Sequence, residues 1–278
     1  MVTATYFALA ALTVFYGAIF LRSSEGARPS PIHTLTGFAT NFLDTLGIGS
    51  FATTTAIFKF GSMVPDRLIP GTLNAGHTLP TALQAFVYIT AIEVEARTLV
   101  PLIAGAVAGA WFGAAAVAGF SLRTVRLCVG GALLIAAAAL LMRQFELFPA
   151  GGNALGLTGW KLLAAVAANI VFGAVSTLGI GFYAPCMTMV SLMGMNPAAA
   201  FPIMMGSSAF LMPVASAQFV RRKAYSAPVA LGLALGGLAG VPLAAFVVKS
   251  LPLDGLRWLV IVAVLYAAVL TLRSGEPK

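Results

Sequence analysis

Asp44 is the one carboxylate set deep in an apolar stretch of this 278-residue chain, and it directly precedes Thr45-Leu46-Gly47-Ile48-Gly49. Ionisable groups inside apolar segments of membrane length are costly and mark function by default. Ser50, Thr53, Thr54 and Thr55 follow at once, so hydroxyl donors stand beside a glycine break whose freed N–H groups suit an anion. The same pentapeptide returns as Thr177 to Gly181, with Ser176 before it and Tyr183 just after. An oxyanion needs several donors and little competing negative charge, and this set supplies donors without a buried arginine. The expected contacts are Thr45, Gly47, Gly49, Ser50, Thr53 and Thr54 from the first copy. Ser176, Thr177, Gly179, Gly181 and Tyr183 are expected from the second.

Asp44 would repel such a ligand unless it carried a proton, so it is expected to couple transport to protons; the competing reading makes it a cap for the short helix. His77, within Asn74-Ala75-Gly76-His77-Thr78, is expected to hydrogen-bond Asp44 or the substrate, against the reading of a structural histidine. His33, beside Pro31, reads as structural, and Lys59 as a side chain reaching for the membrane surface. For the serines and threonines the competing role is glue between helices.

The elements that must position these residues are membrane helices. The chain is 60% hydrophobic and only 9% charged, against roughly 25% charged in soluble domains. Apolar runs over Val2–Leu21, Leu99–Phe120, Val125–Met142, Pro228–Val248 and Leu256–Leu272 approach or reach the ~20 residues that cross a bilayer. The alternation of a barrel strand is missing from all of them. The first run has no Lys or Arg before it and no cleavage pattern after it, and is expected to be a helix rather than a signal peptide. The net charge of +8 sits in short loops and follows positive-inside bias rather than nucleic-acid binding. Cys128 and Cys186 lie inside apolar runs, so a disulfide framework is not expected.

Two halves repeat. A shift of 132 residues lays Thr45–Gly49 on Thr177–Gly181 and Pro70 on Pro202. A shift of 127 lays Gly105, Gly109 and Gly113 on Gly232, Gly236 and Gly240. Glycine every fourth residue clears a helix face for close approach. Residues 1–32 form an extra N-terminal helix and loop, 33–143 the first repeat, and 159–273 the second. Gln144 to Thr158, with Pro149, Gly151 and Gly152, reads as the link. Residues 159–191 would run ~50 Å as one helix, too long for a ~30 Å core. A hairpin bent at the glycines is expected instead, either re-entrant or crossing twice. An odd number of helices remains in each half, so the repeats are expected to be inverted. That topology places eleven Lys and Arg inside and five outside, with the N-terminus outside and the C-terminus cytoplasmic; a parallel one gives ten against six. The fold class is therefore all-α and polytopic. Matching breaks in two repeats are the best sequence pointer to a transport site.

Gly179-Ile180-Gly181 with Pro185, Asn196-Pro197-Ala198-Ala199-Ala200 leading into Gly206-Ser207-Ser208, the turn Arg221-Arg222-Lys223 and Leu256-Arg257 together resemble the TauE/SafE family of membrane proteins. The resemblance covers nearly the whole chain, most clearly residues 160–273. It implies a secondary transporter in the cytoplasmic (inner) membrane that moves sulfite, thiosulfate or an organosulfonate of the sulfoacetate class. Ser50-Phe51 and Phe182-Tyr183 depart from the family's richer glycine run, and Thr53 stands where the second copy has Pro185.

Seven of the ten methionines fall between Met187 and Met212, next to Cys186. Such ligands suit Cu(I), so a soft-metal transporter competes, although methionine also fills gaps where helices slide. Paired half-helices also build anion channels. There is no metal-spaced His/Cys/Glu set and no phosphate loop, so no cofactor and no enzyme activity are expected. Partners are a small anion, protons and the lipid bilayer; the oligomeric state is invisible at this level.

Overall fold

The computed structural model describes residues 2–179, 181–247 and 253–273. Among them are eleven α-helices and no sheet: α1 (Val2–Ser23), α2 (Pro31–Thr45), α3 (Ser50–Gly61), α4 (Ile69–Ala91), α5 (Ala96–Val117), α6 (Leu122–Gln144), α7 (Gly159–Ser176), α8 (Tyr183–Leu192), α9 (Ala200–Arg221), α10 (Ala227–Pro242) and α11 (Leu253–Arg273). Six are long and apolar enough to cross a membrane: α1, α5, α6, α7, α9 and α10. The chain is a multi-pass α-helical membrane protein.

Both glycine breaks form. Gly47 and Gly49 take φ of 81° and 92°, and Gly179 takes 98°, values that β-carbons disfavour. They separate α2 from α3 and α7 from α8. The arms measure about 22, 18, 27 and 15 Å at 1.5 Å per residue, and the longest, α7, is one of the six helices of membrane length.

Contacts between loops show which face each hairpin uses. On one face Asp66, which follows α3, binds Arg126 at the start of α6, and Tyr225 before α10 binds Ser23 at the end of α1. On the other face Lys161 at the start of α7 donates to the Met193 carbonyl after α8, and the Asn196 N–H donates to Ala154 O. The first hairpin enters and leaves by the first face, and the second by the opposite one. The repeats are inverted.

Each glycine-spaced helix packs on the hairpin of the other repeat. A β-carbon on Gly236 would overlap the Thr34 carbonyl of α2, and one on Gly109 the Ile170 carbonyl of α7. The pairs advance together, Gly105 with Val166 and Gly113 with Ala174, so α5 runs parallel to α7. Thr34 through Phe38 follow Gly236 through Gly240 in the same sense, so α2 runs parallel to α10. Small residues permit this approach where lipid offers no hydrophobic drive for association. The largest buried cluster joins α4, α5, α8 and α9, with Met187, Met189 and Met195 inside it.

Lys59 does not reach for the surface alone. Its ammonium lies 2.8 Å from Asp66, which also accepts from Arg126 at 2.7 Å. Burial would push the Asp66 carboxyl up, but the two cations outweigh it and hold the group below its ordinary value. His33 closes a capping box with Ser30 at the start of α2, the structural role expected.

Candidate functional site

α4 is the polar spine of the molecule. Asn74, His77, Thr78, Thr81 and Gln84 are all buried on it, spaced at helical intervals. Asn74 reaches the Thr177 carbonyl at the second break, 3.4 Å away. Three to four turns further on, Gln84 donates to Thr45 Oγ1 at 2.9 Å, and the Tyr88 hydroxyl donates to the Thr45 carbonyl. One helix thus holds both breaks, the first toward one membrane face and the second toward the other. Between them lies a cavity of about 100 Å³, walled by both breaks and by α6 and α9.

Asp44 faces this cavity. It accepts from the Ser50 N–H at 2.9 Å and from the Ser50 hydroxyl at 3.0 Å, so it caps α3. A carboxylate at a helix N-terminus satisfies an orphan N–H and matches the dipole.

Of the expected contact residues, Gly49, Ser50, Ser176 and Gly181 line the cavity, beside the expected coupling residue Asp44. Thr45, Gly47, Thr53, Thr54, Thr177 and Gly179 do not. Three of their hydroxyls are spent within their own helices: Thr45 on Asn41 O, Thr53 on Gly49 O, and Thr177 on Ala174 O, at 2.7–2.8 Å. The Thr54 hydroxyl is taken by His77. Ser176 lines the cavity while giving its proton to Gly173 O. Short hydroxyl side chains on helices bond the preceding turn by default, which is why a threonine run overstates the donors on offer. The Tyr183 side chain lies outside the described residues.

His77 is corrected. It bonds neither Asp44 nor the cavity but is fully buried between Asn41 Oδ1 and the Thr54 hydroxyl, each at 3.0 Å. The Asn41 amide is directed to Gly37 O, which leaves its oxygen to accept. His77 therefore donates from Nδ1 and accepts at Nε2, a neutral tautomer with both nitrogens used. It is a structural histidine that ties α2, α3 and α4.

The expectation of a site without arginine is also corrected. Arg143, in the last turn of α6, reaches the first break, donates to the Gly47 carbonyl and lines the cavity. The two are 96 residues apart, so nothing local signals the contact. Thr81 and Ser208 were likewise missed, while Met204, Met205 and Met212 of the methionine-rich stretch also line the wall. Cys186 is buried elsewhere, with its Sγ 3.7 Å from Ala200 O.

Fold and site together define a multi-pass membrane protein with a cavity between two inverted helical hairpins. No family model, curated protein or solved structure matches the chain.

Proposed function

We propose that the protein is a secondary transporter, similar to the TauE/SafE family, for a small sulfur-containing oxyanion or organosulfonate. The observation that carries this reading is the cavity held between two inverted breaks, with the Arg143 guanidinium and the first turn of α3 on its wall. Positive helix ends at discontinuous helices are the usual way a transporter meets an anion near the bilayer midplane. Asp44 supplies the coupling. While charged, it occupies the Ser50 N–H and cancels the helix end. A proton on it removes the repulsion and leaves that end to the anion, with Arg143 beside it. Substrate and proton would then bind together.

The face with Lys59, Arg67, Arg126 and Arg221–Lys223 carries most of the basic residues and is proposed as the cytoplasmic side of the inner membrane. Three thioethers on the wall favour a second reading, a Cu(I) carrier. Flux in proteoliposomes tests these proposals. Saturable uptake of sulfite, thiosulfate or sulfoacetate that follows an imposed pH gradient supports the carrier. Large unitary currents would replace it with a channel, and uptake of Cu(I) alone would replace it with a metal carrier.

A further inference from the structure

The charges of the cavity are confined to one end. Asp44 and Arg143 are the only ionisable residues on its described wall, and both stand at the first break. From Arg143 the wall follows α6 back through Leu140, Ala139 and Ala136 to Ile135. Eight residues at 1.5 Å each make this stretch about 12 Å long. α9 accompanies it over a similar length, ending in Leu211 and Met212. Along this distance the wall offers aliphatic carbon, thioether sulfur and isolated hydroxyls, but no second cation. One of those hydroxyls, on Ser176, already gives its proton away.

A compact inorganic oxyanion carries oxygens on every side, and each wants a donor. Set against Arg143, it would turn part of its surface toward Leu140 and leave most of the cavity unfilled. Oxygens facing carbon lose their hydration without replacement. An anion with a short carbon chain has the complementary polarity. Its head meets Arg143 and the α3 end, and its chain displaces water from a surface that binds water poorly.

Resting on the transport reading above, we infer that the substrate is an organic anion with a short apolar chain, its charged head at Arg143 and its chain along Leu140, Ile135, Leu211 and Met212. Inorganic sulfite and thiosulfate are then poor ligands. The methionines serve as an adaptable apolar surface, a use to which thioethers are suited.

The test is ligand-induced thermal stabilisation of the purified protein in detergent, titrated with sulfite, thiosulfate and the straight alkanesulfonates of one to five carbons. The matching carboxylates form a parallel series that distinguishes the head group. Affinity is expected to rise about fourfold per added methylene along the series. Sulfite should bind at least tenfold more weakly than the best sulfonate. Ala139→Phe, which fills the apolar stretch, should move the best chain length down. A flat series, or sulfite as the tightest ligand, would overturn the inference while leaving the transporter standing. If no anion of either series binds, the transport reading falls and takes this one with it.

Discussion

Replacing Gly109 by alanine tests the cross-repeat packing on which the whole site rests. A β-carbon at Gly109 would overlap the Ile170 carbonyl oxygen, stand 2.7 Å from the Ile170 carbonyl carbon and 3.0 Å from the Ala174 nitrogen. All three are backbone atoms, so no rotamer change relieves the overlap. α5 and α7 must separate, by about 0.7 Å for the carbon alone if it is to reach the ordinary contact of 3.4 Å. Overpacking of this kind costs about 1–3 kcal/mol. Gly→Ala within a helix also gains up to ~1 kcal/mol in propensity, which would mask part of the effect. Gly131 on α6 provides the reference, because a β-carbon there meets nothing within 4 Å. The difference between Gly109→Ala and Gly131→Ala cancels propensity and leaves the steric cost. At roughly 2–4 °C per kcal/mol for a chain of this size, Gly109→Ala should melt about 5 °C below Gly131→Ala in the same detergent. Equal melting temperatures would refute the close contact and, with it, the parallel docking of α5 on α7.

Three further outcomes are expected, two at the site and one at a loop ion pair. Gly181 faces the cavity with nothing within 4 Å of a β-carbon position, so Gly181→Val should project into the ligand space. It should abolish binding while the melting temperature of the empty protein stays within about 2 °C; full binding would reject the site. Asp44→Asn keeps an acceptor for the Ser50 N–H and should fold, but transport should lose its dependence on the pH gradient; an unchanged pH response would reject the coupling role. Asp66→Asn removes the carboxylate that joins Lys59 to Arg126 and should cost about 1 kcal/mol near neutrality. Because the folded carboxyl is held below its ordinary value, that stability is present above ~4 and is lost as pH falls through the folded value. Melting curves of wild type and Asp66→Asn should therefore converge in acid, and a gap that persists there would show that the ion pairs are not its source.

The doubled Thr-Leu-Gly-Ile-Gly was legible as two breaks because a glycine pair inside a membrane-length apolar run frees backbone groups that lipid cannot satisfy. Segment length was enough to turn the breaks into hairpins, since residues 159–191 exceed one bilayer crossing. Side-chain roles were less legible. Thr53 and Thr54 look like ligand donors in the sequence, yet Thr53 bonds the preceding turn and Thr54 bonds His77. His77 looks like a partner for Asp44 or the substrate, but Asn41 and Thr54 occupy both of its nitrogens.

Composition, the glycine breaks and the repeat by themselves determined a polytopic helical protein with two inverted hairpins, because backbone satisfaction and bilayer thickness act on local sequence. Only the tertiary structure decided what the hairpins enclose. It brought Arg143 to Gly47 across 96 residues, turned Met204, Met205 and Met212 toward the cavity, and sent Cys186 to the Ala200 carbonyl. Those placements depend on how distant helices pack, and no local rule of spacing carries that information.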